Sequence, residues 1–221
     1  MQTWKMFETT SKRDNMFTGI IQKTARIKSA RMQSGVQVVQ IEKPRTCQLV
    51  RGGSVAIDGI CATVVELSSR DFAVEFMPET LRKTTARSFE KGSRVNLELP
   101  MRFGDRVEGH FVQGHIDATG LVESIEKEGA STLVTIRVPG KLASLITLHG
   151  SAAINGTSLT VARRHGPHVT FGLIPYTIKH TNLGTLKKGD HVNIEADRLE
   201  SGAVAARVRG GKVKRHAKKR I

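Results

Sequence analysis

Short apolar runs, separated by glycine, proline or charged residues, recur along most of this chain. They are rich in Val, Ile, Leu and Phe, the composition typical of β-strands. The clearest runs are Phe72 to Phe76, Val95 to Leu99, Ser131 to Val138 and Val192 to Glu195. Helical periodicity is confined to short stretches. The pattern therefore predicts a protein built from strands.

Two dipeptides, Asp58-Gly59 and Asn155-Gly156, lie between alternating or β-branched apolar residues. Two-residue turns of this composition adopt positive φ and match the twist of antiparallel strands. We therefore predict a β-hairpin around each dipeptide.

The two hairpins belong to an internal repeat. The segment Gly53 to Val64 recurs as Gly150 to Val161, a shift of 97 positions. The same shift relates further residues of the first copy to the second: Pro78, Thr80, Thr84, Gly92, Val95, Asn96 and Glu98. A weaker match pairs Gly19 and Thr24 with Gly114 and Thr119.

The repeat predicts two tandem domains, residues 16–107 and 108–200, between an N-terminal extension (1–15) and a basic C-terminal tail (201–221). About six strands in about ninety residues favour a small antiparallel barrel, because closure removes the exposed edges of a short sheet. The predicted fold class is therefore all-β, with two tandem homologous six-stranded antiparallel barrels.

Charge and cysteine content narrow the class of protein. The net charge of +15 is concentrated at the C-terminus, where residues 201–221 hold eight Lys or Arg and no acid. We interpret this tail as a solvated terminus rather than a nucleic-acid arm, because no aromatic residues are interleaved with it. The chain lacks a long apolar run and a secretory signal, and its only two cysteines are typical of reduced thiols, so we expect no membrane association and a cytoplasmic location.

Each predicted hairpin carries a pair of small polar residues on one face. Side chains two apart on a strand point the same way, so Cys61 lies beside Thr63, and Ser158 beside Thr160. Such residues can simply fill a barrel wall or satisfy backbone groups. Their repetition at equivalent positions favours a ligand site.

Two histidines, His110 and His115, open the second copy and raise the question of a metal site. Residues five apart in a strand face opposite sides, so the spacing argues against a shared metal ion, and we expect none. A histidine beside a polar pocket is suited to proton transfer near neutral pH. A hydrogen-bonded structural histidine is the alternative.

Several motifs, taken in order, resemble the riboflavin synthase family, whose repeated unit is the lumazine-binding domain. They span residues 16 to about 199 and comprise Met16 to Ile21, the two hairpins, Met77 to Arg82, Gly109 to Asp117, Leu173 to Thr177 and Val192 to Asp197. The resemblance implies two Greek-key barrels followed by a short C-terminal helix or tail. It also implies the dismutation of two 6,7-dimethyl-8-ribityllumazine molecules without a cofactor.

The resemblance further implies a homotrimer whose reacting site lies between barrels of neighbouring subunits, with possible association with lumazine synthase. Matched positions assign the catalytic roles to Ser54, His115, Cys61 and Phe17. Substrate-binding roles fall on residues of both copies: Thr18, Gly19, Ile20, Gly59, Ile60, Ala62, Thr63, Glu79, Thr80, Gly114, His149, Gly156, Thr157, Ser158, Leu159, Thr160, Ile174, Pro175, Thr177 and Asp197.

The chain departs from the family pattern at a few positions. Asp58 stands where Asn is common, Ala62 where Leu is usual, Glu108 where a glycine is usual, and His149 where a lysine is common. A C-terminal helix could begin at 203–208, but Gly210-Gly211 would end it early. Two alternatives remain: a lumazine- or flavin-binding protein without turnover, and a basic nucleic-acid module.

Overall fold

The computed structural model describes residues 16–199, and within them the chain forms two closed β-barrels. All strand pairs within each barrel are antiparallel. The predicted fold class is therefore confirmed. The predicted extension (1–15), the tail (201–221) and the helix start at 203–208 lie outside the described residues.

The first barrel contains β1 (Lys23–Gln33), β2 (Val36–Glu42), β3 (Ser54–Ile57), β4 (Ile60–Leu67), β5 (Asp71–Phe76) and β6 (Arg94–Glu98). Its closed order is β1-β2-β5-β4-β3-β6. Because β3, β4 and β5 are consecutive and β2 lies beside β5, the connection is a Greek key. The helix α1 (Pro78–Lys83) and a 3-10 turn (Thr85–Ser88) join β5 to β6.

The second barrel repeats this order with β7 (Ala118–Glu128), β8 (Ser131–Arg137), β9 (Ser151–Ile154), β10 (Thr157–His165), β11 (His168–Leu173) and β12 (His191–Ala196). A short helix, α2 (Gly140–Ala143), precedes β9. The helix α3 (Pro175–His180) and a 3-10 turn (Asn182–Thr185) precede β12, as α1 and its turn precede β6.

Apolar side chains fill both barrels. Phe72 and Val74 in β5 are buried, and the equivalent positions in β11 hold Val169 and Phe171, also buried. The large and small residues thus exchange places between the copies while their summed volume is kept, a change that packed cores tolerate well. Each interior is thus occupied by a cluster of buried apolar side chains.

The predicted strands and turns agree with the structure to within about two residues at each end, the usual uncertainty of strand limits. Asp58 and Asn155 have φ of 47° and 44°, as expected for the predicted turns. The strand assumed across His110 and His115 is wrong, since residues 109–117 are irregular except for one bridge at Val112. The boundary at 107/108 stays a prediction.

Candidate functional site

The two segments that precede the barrels, residues 16–22 and 109–117, meet between them. The backbone N–H of Phe17 donates to Val112 O at 2.7 Å, and that of Val112 donates to Phe17 O at 3.0 Å. Phe17 and Val112 pack with Ala56 and Ala153 in a buried cluster. Phe17, predicted as a catalytic residue, is therefore part of the packing between the barrels, with none of its surface exposed.

Each segment then hydrogen-bonds to the hairpin of the opposite barrel. Ser158 N donates to Gly19 O at 2.8 Å, and Cys61 N donates to Gly114 O at 3.0 Å. Both glycines have positive φ, 75° at Gly19 and 79° at Gly114. A Cβ would lie 2.7 Å from Ser158 Cβ at Gly19 and 2.6 Å from Cys61 Cβ at Gly114. Only glycine fits this approach.

A buried glutamate at the end of each barrel fixes the same segments. Glu98 accepts hydrogen bonds from Thr18 N (2.7 Å), Thr18 Oγ1 (2.8 Å) and Gly19 N (3.1 Å). Glu195 accepts from Gln113 N (2.7 Å) and Gly114 N (3.0 Å). Burial raises the pKa of Glu98, and it raises the pKa of Glu195 to about 7. These glutamates were found as repeat positions, but their role depends on contacts about eighty residues away in sequence.

The two members of each polar pair share a face, as predicted from strand alternation, and the structure shows that this face is the outer one. In β4, Cys61 and Thr63 are on the outer face, whereas Ala62 and Val64 are buried. Ser54 lies opposite Thr63 in β3, and its side chain is hydrogen-bonded to the Cys61 thiol. Burial raises the pKa of that thiol, while the bond from Ser54 lowers it. The neutral thiol is therefore the favoured form, which argues against a thiolate nucleophile.

The second polar pair has a histidine partner. His110 Nδ1 is hydrogen-bonded to Ser158 Oγ at 2.7 Å, and His110 N donates to Thr18 O at 3.1 Å. His110 is buried, whereas His115 is exposed. The structure therefore places His110 directly against a polar pair, whereas the predicted His115 follows Gly114, which contacts Cys61 of the other pair. The sequence offered the Gly109-His110 motif as a signal, but the wrong strand assignment hid its direction.

Several other predicted substrate-binding residues have buried side chains. Ile60, Ala62 and Leu159 point into the barrel interiors, so only their backbone faces the outer wall. Gly59 and Gly156 pack backbone against backbone where the hairpin tips meet, and Thr157 is buried beside them.

Strand register brings the short helices towards the polar pairs. Val64 lies opposite Val74, so the chain leaving β5 runs beside the Cys61 end of β4, and β10 and β11 are arranged likewise. The predicted residues of these helices are exposed or half-buried: Glu79, Thr80, Ile174, Pro175 and Thr177. The copies differ here, since Glu79 forms ion pairs with Arg82 and Lys83, whereas its equivalent, Tyr176, stacks on His180 at 4.0 Å between ring centres.

Two further predicted residues border the second pair. His149 is exposed, has φ of 65°, and occupies the position that Gly52 holds in the first copy with φ of 79°. His149 N donates to Val161 O at 3.0 Å, next to Thr160. Asp197 is buried just after β12, and its Oδ1 accepts from Leu199 N at 2.8 Å.

A cavity of about 300 Å³ opens beside Thr18 and Ile20. Its walls include Glu98 and three residues of the inter-barrel linker: Asp105, Arg106 and Glu108. The polar pairs do not line it. Between residues 16 and 199, no group of three or more His, Cys, Asp or Glu side chains is placed to hold a metal ion. No helix in that range is long and apolar enough to cross a membrane.

The chain matches the lumazine binding domain model twice, over residues 18–100 and 113–197. It is 36% identical to the riboflavin synthase of Bacillus subtilis (strain 168), covering 83% of this chain and 86% of that protein. It is 40% identical to the riboflavin synthase of Actinobacillus pleuropneumoniae, covering 82% and 85%.

Solved structures of similar fold include LumP complexed with riboflavin, with a TM-score of 0.77 at 28% identity over 81% of this chain and 98% of that one. LumP complexed with 6,7-dimethyl-8-(1'-D-ribityl) lumazine has a TM-score of 0.74 at 28% identity, with the same coverage. Together with the two barrels and their duplicated outer-wall sites, these matches place the chain in the lumazine-binding-domain family, among relatives that are riboflavin synthases.

Proposed function

We propose that this protein is a riboflavin synthase. It moves a four-carbon unit between two 6,7-dimethyl-8-ribityllumazine molecules, giving riboflavin and 5-amino-6-ribitylamino-pyrimidinedione. The observation that carries the proposal is the pair of equivalent outer-wall sites, at Cys61 and Thr63 and at Ser158 and Thr160, each bound to a segment from the other half of the molecule. Two related sites suit a reaction that uses two copies of one substrate.

The two sites of one chain lie at opposite ends of the bridged segments. Phe17 pairs with Val112 in antiparallel fashion, and Gly19 and Gly114 each lie two residues further along, in opposite directions. At about 3.3 Å per residue, the two glycines are therefore about 13 Å apart. Reacting rings must approach to about 3.5 Å. Two substrates bound at these sites therefore need a second chain to bring them together, which supports a homo-oligomer, and we propose the trimer implied by the family.

The reaction begins when the 7-methyl group of one lumazine loses a proton to a base, and the ring holds the resulting charge. Ser54 and Cys61 form one hydrogen-bonding group in the first copy. His110 with Ser158 forms the other, in the second copy. We assign His110 or the exposed His115 to proton transfer and Ser54, or a water it holds, to orienting the electrophilic ring carbon of the partner substrate.

Substrate binding is divided in the same way. The hydroxyls of Thr63 and Thr80 in the first copy, and of Thr160 and Thr177 in the second, are suited to hydrogen bonds with ring atoms or ribityl hydroxyls. Asp197 would accept from ribityl hydroxyls, and His149 would border the second site. The reaction needs no cofactor, since the substrate ring itself stabilises the negative charge that forms when the 7-methyl group loses its proton. We further propose a cytoplasmic location and association with lumazine synthase.

A second candidate is a binding protein without turnover. It is favoured by the likeness to LumP, whose solved complexes hold lumazine, riboflavin and flavin mononucleotide. Both copies here keep their polar pairs and the first also keeps Ser54, and this favours the enzyme.

The test is incubation of the purified chain with 6,7-dimethyl-8-ribityllumazine, following flavin absorbance. A riboflavin synthase converts the substrate, whereas a binding protein changes its fluorescence without forming flavin. The variants Ser54→Ala, His110→Gln and His115→Gln address the assigned roles. Turnover equal to wild type in Ser54→Ala would contradict the role of Ser54, and the same result in both histidine variants would contradict the role in proton transfer. Sedimentation of the same sample gives the assembly, and a monomer that turns over would overturn the shared-site proposal.

A further inference from the structure

The tips of the two hairpins meet in a buried polar cluster, which we call the interbarrel joint: Asp58, Asn96, Asn155, Asn182 and Asn193. Each of these five residues has less than a tenth of its surface exposed. The hairpins that meet here are those that carry Ser54 and Cys61 on one side and Ser158 on the other. The joint therefore connects the two hairpins that carry the sites.

Most hydrogen bonds in the joint are made by equivalent residues of the two copies. Asn96 N donates to Asp58 Oδ1 (2.7 Å), and Asn193 N donates to Asn155 Oδ1 (2.8 Å). Between the barrels, Asn96 Nδ2 donates to Asn155 O (2.9 Å), and Asn193 Nδ2 donates to Asp58 O (2.9 Å). This arrangement requires only an acceptor oxygen at positions 58 and 155, which Asn and Asp both provide.

The symmetry breaks at two positions that touch each other. The first copy has Asp58 where the second has Asn155, and the second has Asn182 where the first has Thr85. Asn182 Nδ2 donates to Asp58 Oδ1 at 2.9 Å and to Arg94 O at 3.2 Å. The amide that is special to the second copy thus binds the carboxyl that is special to the first.

Among residues 16–199, no Lys, Arg or His side chain is bonded to this carboxyl. The charged or titratable groups on β6, β12 and the 3-10 turn at Thr85–Ser88, which surround the joint, are these: Arg87, Arg94, Glu98, His191 and Glu195. The Arg94 guanidinium donates to Thr24 Oγ1, and the two glutamates hold the crossing segments. Arg87 and His191 are exposed. Within residues 16–199, the side-chain partners of Asp58 are thus the backbone of Asn96 and the amide of Asn182.

We propose that Asp58 is a titratable positioning residue, whose neutral form holds the two site-bearing hairpins together and whose ionised form loosens the interbarrel joint. A carboxylate buried among amides without a cation is costly, whereas a neutral carboxyl group keeps the same acceptor oxygen. The effect on the joint stands on the fold alone, and the effect on substrate rests on the proposed function.

The direction of the pH effect follows from burial. Burial raises the pKa of Asp58 from 3.8 to about 7, although hydrogen bonds from Asn96 and Asn182 lower it in part. Because the folded chain holds the proton more tightly than the unfolded chain, the stabilisation is present below pH 3.8 and is lost as the pH rises to about 7. The joint is therefore weakest in mild alkali.

The test compares wild type with Asp58→Asn, which copies the residue of the second hairpin and keeps the acceptor oxygen. Thermal unfolding is followed without ligand at several pH values in mild acid and mild alkali. From mild acid to mild alkali, the Tm of wild type should decrease by roughly 5–10 °C more than the Tm of Asp58→Asn. Glu90→Gln, which removes an exposed acid, should follow wild type, and Asn155→Asp should fall more steeply. Parallel curves for wild type and Asp58→Asn would overturn the proposal.

Positioning is tested separately from stability. If turnover is observed, the KM of wild type for the lumazine should rise about fivefold from mild acid to mild alkali relative to Asp58→Asn, with kcat changing less. A Tm difference without this KM difference would overturn the positioning role. Absence of flavin formation at every pH would count against the proposed function, while the unfolding curves still decide whether Asp58 titrates in the joint.

Discussion

His110 and Ser158 are joined by a hydrogen bond of 2.7 Å between imidazole Nδ1 and hydroxyl Oγ. The equivalent of Ser158 in the first copy is Cys61, and its partner is Ser54 rather than a histidine. The duplicated sites therefore share a fold and an outward polar pair, but a histidine is bonded to one pair and a serine to the other. This asymmetry suits a reaction in which one substrate loses a proton and its partner accepts a carbon unit.

His110 is expected to contribute to turnover more than to stability. Replacing it in His110→Gln keeps a side chain able to hydrogen-bond Ser158 but removes the base, so kcat should fall by about 100-fold or more. Steady-state kinetics with the lumazine measure this, and His165→Gln, at an exposed hairpin, is the matched control. A kcat within about twofold of wild type would exclude His110 from proton transfer.

The close approach at Gly114 predicts a large stability loss. In Gly114→Ala the new Cβ would lie 2.6 Å from Cys61 Cβ at φ of 79°, so strain and overpacking together should cost about 3 kcal/mol or more. In Gly129→Ala, with φ of 60° and no atom within 4 Å, strain alone should cost about 1 kcal/mol. Urea unfolding of both variants gives the comparison. Equal losses would show that contact with Cys61 is unimportant.

Glu195 is expected to make the folded protein less stable as the pH rises. Burial raises its pKa from 4.5 to about 7, so its stabilisation is full below pH 4.5 and is lost as the pH rises to about 7. In Glu195→Gln the pH dependence of the unfolding free energy in this window should decrease by up to about 1.4 kcal/mol per pH unit. Denaturant unfolding across the window measures it, and an unchanged slope would contradict the burial of a titrating carboxyl.

His149 combines backbone strain with a place beside the second site. Since Gly52 occupies the same position in the first copy, His149→Gly should raise the unfolding free energy by about 1 kcal/mol while weakening lumazine binding. Unfolding and fluorescence titration of one preparation measure both effects. Gly52→His is the reciprocal change and should destabilise the first barrel. Tighter lumazine binding by His149→Gly would show that His149 does not contribute to substrate binding.

The fold could be predicted because its signals are local and repeated. Asp58-Gly59 and Asn155-Gly156 specify turns by their own conformational preferences. Alternation in β4 and β10 places Cys61 on the same face as Thr63, and Ser158 on the same face as Thr160. The repeat then supplied the second barrel from the first.

The site was harder to predict because its key contacts join distant residues in irregular segments. His110 is 48 positions from Ser158, and Asn182 is 124 positions from Asp58. Side-chain direction in residues 109–117 depends on the Phe17–Val112 bridge rather than on strand periodicity. Phe17 was assigned to catalysis by its motif, whereas the structure buries it, since an apolar side chain between two packed hairpins gains more from burial than from exposure to a pocket.

The ratio of lumazine consumed to riboflavin formed tests the central claim most directly. Purified chain is incubated with 6,7-dimethyl-8-ribityllumazine alone, and both compounds are quantified by chromatography over time. The account predicts two lumazines lost for each riboflavin formed, with one pyrimidinedione released, because one substrate donates its carbon unit to the other. Stoichiometric binding of lumazine with no riboflavin formed would contradict it and identify a binding protein instead.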